Sequence, residues 1–256
     1  MLLAFDLDGT LVTAEGVLPE PLRRAVLAAS VRHHVTVLTG RNYRSARRFI
    51  EAIAPNVPYG TCQGARLHAL DATLLEEFHL ENEAVEFLLE RFLPDSHTEI
   101  FLSTADGVYV RQPARDRWDR ARGEGQVVKD IEHYTGEAAH KALLFSDVLD
   151  KVTELRLEVQ ARFPQLNYYG WGGWYLEVVS SGGRKSRALA SIASRLGVPQ
   201  SEVVAFGDGE NDISMLEWAG LAVGVGSLQD GVAGVIDQHV PGPEHLGVLE
   251  WLERNL

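Results

Sequence analysis

A single cysteine, Cys62, occurs in 256 residues, so no internal disulfide can form and a cysteine-based metal cluster is excluded. Positive charge is also scarce. The 24 Lys+Arg against 36 Asp+Glu leave a formal charge of -12, which argues against a broad nucleic-acid footprint or an anionic membrane surface. No apolar run approaches the roughly 20 residues of a membrane span. An apolar strand begins at residue 2, so no cleaved leader is expected ahead of it. Repeats, low-complexity stretches and charged tails are missing too. These absences lead to the expectation of a cytoplasmic protein with no nucleic-acid and no membrane partner. What is present is ordinary globular composition, 45% hydrophobic and 23% charged, in a chain long enough for one large domain or two smaller ones.

The periodicity changes twice along the chain. Residues 2–11 read as a strand ending in Asp6-Leu-Asp8-Gly9-Thr10. Pro19 to His33 carries helical spacing in Leu22, Val26, Leu27 and Val31, Val35 to Thr39 reads as a buried strand, and Asn42 to Ile53 as the next helix. A strand near Val57 to Cys62 and a hairpin through Asp71 follow. This β-α-β-α opening predicts a parallel sheet. The middle differs: helices are expected over 82–93 and 147–163, a hairpin over 99–110 turning at Ala105-Asp106-Gly107, a strand over 141–145 and two strands over 167–179. From Gly182 the alternation resumes, with helices at 185–196, 211–218 and 245–254 and strands at 203–207 and 221–225. The expected fold is therefore α/β, a Rossmann-like parallel-sheet core (1–80 and 179–256) with an inserted α+β cap domain (81–178).

Four short motifs sit at strand ends or helix starts. They are Asp6-Leu-Asp8-Gly9-Thr10-Leu11, the Thr39 of Leu38-Thr39-Gly40-Arg41, the Lys185 of Gly183-Arg-Lys-Ser, and Gly207-Asp208-Gly-Glu-Asn211-Asp212. Alternate strand residues point the same way, so Asp6 and Asp8 can converge while the strand stays regular. Two close carboxylates repel unless a cation lies between them or one takes a proton. The strand end is also where open α/β sheets bind ligands. Each motif alone has an ordinary account: a turn, a helix cap, a solvated lysine, an acidic loop. Four in one order do not.

Taken together they resemble the haloacid dehalogenase-like (HAD) phosphatase superfamily, and the place and α+β character of the insert resemble its Cof-type members with a large cap. The resemblance implies a phosphatase acting on a small phosphorylated metabolite such as a sugar phosphate. Asp6 would be the nucleophile, forming an aspartyl-phosphate. Asp8 would protonate the leaving oxygen and then activate water, and that second aspartate favours a phosphatase or phosphomutase over a dehalogenase. Asp6, Asp208 and the main-chain carbonyl of Asp8 would hold Mg2+, with Asp212 orienting its waters. Thr39, the Gly40 amide, Lys185 and Asn211 would face the phosphate. A phosphomutase on the same core and a non-catalytic phosphometabolite-binding protein are the rival readings.

Three further features are left without a catalytic role. Members of the family often carry Asn-Gly where this chain has Gln63-Gly64. The four arginines Arg41, Arg44, Arg47 and Arg48 fit a solvated helix face paired with carboxylates. The aromatic run from Tyr168 to Tyr175, with Trp171 and Trp174, fits cap-sheet packing better than sugar stacking.

Overall fold

The computed structural model describes residues 1–256 except Asp106 and Leu149, and of Trp171 only the backbone. The chain divides into two compact units, one of Met1–Gly40, Ala46–Glu76 and Arg184–Leu256, the other of Arg41–Ser45 and Glu77–Gly183. The first part of the chain forms β1 (Leu2–Phe5), α1 (Glu20–Ala29), β2 (His34–Val37), α2 (Tyr43–Ile53), and the short strands β3 (Tyr59–Thr61), β4 (Arg66–His68) and β5 (Leu74–Glu77). The middle forms α3 (Asn82–Phe92), β6 (Thr98–Thr104), β7 (Gly107–Val110), α4 (Asp119–Gly123), β8 (Val127–Asp130), β9 (Ala139–Ser146), α5 (Lys151–Arg162), β10 (Asn167–Trp171) and β11 (Tyr175–Val179). The last part forms α6 (Lys185–Leu196), β12 (Val203–Gly207), α7 (Ile213–Trp218), β13 (Leu221–Val225), β14 (Gln238–Val240) and α8 (Gly247–Asn255).

The first unit is built on a five-stranded parallel sheet in the order β14-β13-β12-β1-β2. Its central strands are apolar throughout, because helices cover both faces and no residue of β1 or β12 reaches solvent. Leu2 pairs with Val203 and Phe5 with Phe206, in register. The rings of Phe5 and Phe206 stack at 4.6 Å, and Trp251 of α8 meets Phe206 edge-on at 5.0 Å. On the other face Leu2, Ala4, Val203 and Ala205 pack with Leu189 and Ile192 of α6 and Met215 of α7. The order of strands reverses between β1 and β12, which makes the ends of those two strands the topological switch point of the sheet.

The second unit holds a six-stranded sheet, β10-β11-β9-β6-β7-β8. Leu88 and Phe92 of α3 and Leu155 and Val159 of α5 bury its Ile100, Leu102, Leu144 and Leu176. It is the expected α+β unit. Strand β8 and helix α4 answer to no expectation, since residues 111–138 lack clear apolar alternation. The 99–110 hairpin is present as antiparallel β6 and β7, although the Asp106 of its expected turn lies outside the described residues. Expected helix 147–163 is shorter, at Lys151–Arg162. Among the described residues no helix is long and apolar enough to cross a membrane.

Candidate active site

All eight sequence-selected residues belong to the first unit: seven follow the carboxyl ends of β1, β2 and β12, and Lys185 opens α6. Strand β1 stops at Phe5, and the alternation argument stops with it. Asp6 continues the pairing by donating its amide to the Phe206 carbonyl at 3.0 Å, and the chain then winds tightly, with the amides of Thr10, Leu11 and Val12 all directed at the Leu7 carbonyl. Asp6 is consequently buried and Asp8 exposed, one group facing the sheet end and the other solvent. Gly9 carries this turn at φ +83°, and a Cβ there would lie 2.3 Å from an Asp208 carboxylate oxygen. Glycine is required twice over, by conformation and by the approach of the second aspartate.

Lys185, at the first turn of α6, is fully buried and spans two carboxylates, with Nζ 2.5 Å from Asp6 Oδ1 and 2.5 Å from Asp212 Oδ1. The other Asp212 oxygen accepts the amides of Asp208 and Gly209, each at 3.0 Å. Asp212 therefore ties the β12 loop to Lys185. Asp208 is half-buried and accepts the Thr10 hydroxyl at 3.2 Å. Oxygens of Asp6, Asp208 and Asp212 lie within 4.8 Å of one another.

The charge of this cluster is unbalanced. Burial pushes the Asp6 carboxyl well above the usual range, against the opposing pull of Lys185 and with Asp212, Asp208 and Asp8 adding to the rise. Burial and then Asp212 push Asp208 up to about 7, although Lys185 and the Thr10 hydroxyl resist. Burial alone would depress the Lys185 ammonium, but Asp212 and Asp6 outweigh it and hold it above its ordinary value. Three buried or half-buried carboxylates against one ammonium leave a deficit of positive charge. A hard divalent cation on oxygen donors fits it. Both Asp212 oxygens are engaged by Lys185 and the loop amides, which leaves Asp6 and Asp208 as the carboxylates to receive such an ion.

Thr39 is fully buried just beyond β2, its amide donating to Gly60 and its carbonyl accepting from Gln63. The helix expected from Asn42 starts at Tyr43, because the Asn42 side chain accepts the Ser45 amide at 3.0 Å and caps it, so the Gly40 and Arg41 amides precede the helix. Asn211 lies in the turn after β12 and donates to Gln63 Oε1 at 3.0 Å. Sequence reasoning left Gln63 without a role. The structure buries it completely at φ 59°, ψ 28°, with its amide where a Cβ on Gly40 would come within 2.5 Å. It thus joins the Thr39-Gly40 and Asn211 loops, and its departure from the family's Asn-Gly was the one available signal. Gln229 had none; it accepts the Glu210 amide at 3.0 Å and donates its own to the Asp208 carbonyl at 2.9 Å.

The aspartate after β1, the acidic loop after β12 and a buried lysine bridging the two are thus one cluster at the switch point of a parallel sheet. Residues 3–252 match the family of haloacid dehalogenase-like hydrolases. The chain belongs to that family. A 5-amino-6-(5-phospho-D-ribitylamino)uracil phosphatase of Bacillus subtilis is 26% identical to this hydrolase over 261 residues, covering 98% of this chain and 96% of the relative. A pyridoxal phosphate phosphatase of Escherichia coli is 26% identical over 255 residues, covering 90% and 89%. The solved structure of a sugar phosphatase of HAD subclass IIB matches with a TM-score of 0.84 at 21% identity, over 99% of this chain and 98% of that one, a likeness of fold. The hydrolase is an enzyme of the phosphoric monoester hydrolase kind, with the large-cap architecture of the Cof-type group.

Proposed function

We propose that this hydrolase is a magnesium-dependent phosphatase that cleaves a small phosphorylated metabolite, a sugar or polyol phosphate first among them, through an aspartyl-phosphate on Asp6. The observation that carries the reading is the Asp6–Lys185–Asp212 bridge beside Asp208, at the end of the central strand. Relatives named for a ribityl phosphate and for pyridoxal phosphate support the substrate class.

In the proposed cycle a carboxylate oxygen of Asp6 attacks phosphorus and the bond to the leaving oxygen breaks. Asp8, on the solvent side of the turn, gives that oxygen its proton. Asp8 then takes a proton from water as the water oxygen attacks the same phosphorus, which releases phosphate and restores the Asp6 carboxylate. Lys185 holds Asp6 in place and offsets its charge as the dianion approaches. Thr39, the Gly40 amide and Asn211 would receive phosphate oxygens, with Gln63 positioning the loops that carry them. Asp6, Asp208 and the Asp8 carbonyl would hold the Mg2+, with Asp212 orienting its waters. When bound, the ion supplies positive charge for the phosphate oxygens and carboxylates together.

The test is phosphate release from a panel of phosphorylated sugars, polyols and pyridoxal phosphate, with magnesium and with chelator, for wild type beside Asp6→Asn. Metal-dependent release, falling at least about 10³-fold in the variant, is expected. Substantial release by a folded Asp6→Asn protein would overturn the nucleophile assignment. Substrate loss without phosphate release would point to a phosphomutase.

A further inference from the structure

The second unit contains a cluster of metal-type donors outside the reacting centre. Glu77 closes β5 and His79 lies two residues beyond it, and the two side chains meet at 3.3 Å. The ring of Phe78 between them closes on Gly182, where a Cβ would come within 2.2 Å. The Leu80 amide donates to the Ala139 carbonyl at 2.7 Å, which lays this stretch beside the start of β9. His140 is the next residue of that strand, on the same face as the buried Ala142 and Leu144, and is itself 1% exposed. Its Nε2 lies 2.8 Å from Glu77 Oε1, and His79 Nε2 lies 3.3 Å from Glu77 Oε2. The two imidazole rings face each other at 4.9 Å, tilted by 53°. One donor atom from each of the three residues falls within 4.8 Å of the others.

We propose that Glu77, His79 and His140 form a second metal site, selective for a d-block divalent ion of the zinc type. Two imidazoles and one carboxylate are a zinc donor set, whereas magnesium favours oxygen alone. Bond lengths of about 2.0–2.1 Å at tetrahedral angles place zinc donors about 3.3 Å apart. The His79–Glu77 separation has that value through Oε2, while His140 meets Oε1, so the carboxylate turns to present one oxygen to the ion. The His140–Glu77 pair must open by about half an ångström as the ion replaces the proton they share. His140 is buried and set by a strand, so its ring needs no ordering on binding. His79 and Glu77 are part-exposed, at 37% and 26% of their side-chain surface, which gives an ion a path in and a water its fourth position. A chain of net charge -12 favours the uptake of cations in general.

The test is calorimetric titration of chelator-treated full-length protein with zinc, in excess magnesium to occupy the oxygen site. One equivalent is expected for wild type, with affinity falling at least about tenfold in both His79→Ala and Glu77→Gln. Asp208→Asn should retain that equivalent, which separates it from the reacting centre. Cobalt in place of zinc should give a visible absorption band in wild type that His79→Ala lacks. His79→Ala should release phosphate as wild type does in magnesium. Absence of zinc uptake, or equal uptake by wild type and His79→Ala, would overturn the site and reduce the cluster to an ion pair.

Discussion

Asp208 shows how burial, rather than residue type, sets the behaviour of a side chain. Without a cation its carboxyl is raised to about 7, first by burial and then by Asp212. Between the unfolded value of 3.8 and about 7 the folded protein binds the extra proton. The contribution of this group to stability therefore falls as pH rises through that window. Metal-free Asp208→Asn should exceed wild type in stability at pH 8 by about 1–2 kcal/mol, about 2–8 °C in Tm, and the gap should close toward pH 5. Thermal unfolding of both proteins across pH checks this; a gap that widens on acidification would refute it. Proton and cation compete for the same oxygens, so magnesium affinity should weaken on acidification below pH 7, by up to about tenfold per unit. Calorimetric titration at two pH values measures it.

At the scale of the element, helix α6 is what presents Lys185 to two aspartates from separate strands. Its outer stripe, Arg187, Ser191 and Arg195 at spacings of four, converges on Glu76 near the end of β5, at 2.5 Å from Arg187 and 2.8 Å from Arg195. Burial alone would raise the Glu76 carboxyl; the Ser191 hydroxyl and the two guanidinium groups reverse that and hold it at about 2. Its stabilising effect is present above the unfolded value of 4.5 and is lost as pH falls through about 2. Glu76→Ala should cost about 1–2 kcal/mol at neutral pH, discounted for a group that keeps a fifth of its surface in water. Urea denaturation measures this directly, and the deficit should shrink in acid. Loop elements behave differently. The turn after β1 holds its shape through Gly9 and the turn after β12 through the amides that Asp212 captures, and the two meet at Asp208, which closes on Gly9 and accepts the Thr10 hydroxyl.

At the scale of the whole molecule, the two units have separate apolar cores, one around the parallel sheet and one around the six-stranded sheet. Hydrogen exchange in magnesium should therefore show added protection around residues 6–12 and 207–213 with no change in β6, β9 and β11; protection spread evenly over both cores would contradict a cation held by the first unit alone. The parallel sheet and the inserted α+β unit were legible because apolar runs of four or five residues, each ending in glycine or aspartate, are a local pattern. Asp6, Lys185 and Asp208 could be selected only jointly, through four motifs in one order, since each motif alone has an ordinary account. Helix α4 and strand β8 were not legible, because α4 buries no residue and β8 is part-exposed and ordered by its pairing with β7 rather than by its own periodicity. Gln63 was marked only as a departure from a motif, since its function as a tie between loops needs Asn211 and Gly40 beside it, 148 positions away in the case of Asn211. The convergence of Glu77 and His79 with His140 likewise exists only once β9 is laid beside them. Local chemistry, such as which residues can attack, coordinate or turn, was determined by the sequence itself. Which of those groups share a site, and how far burial shifts their charge, was decided by tertiary structure, because distance and dielectric are properties of the packed chain.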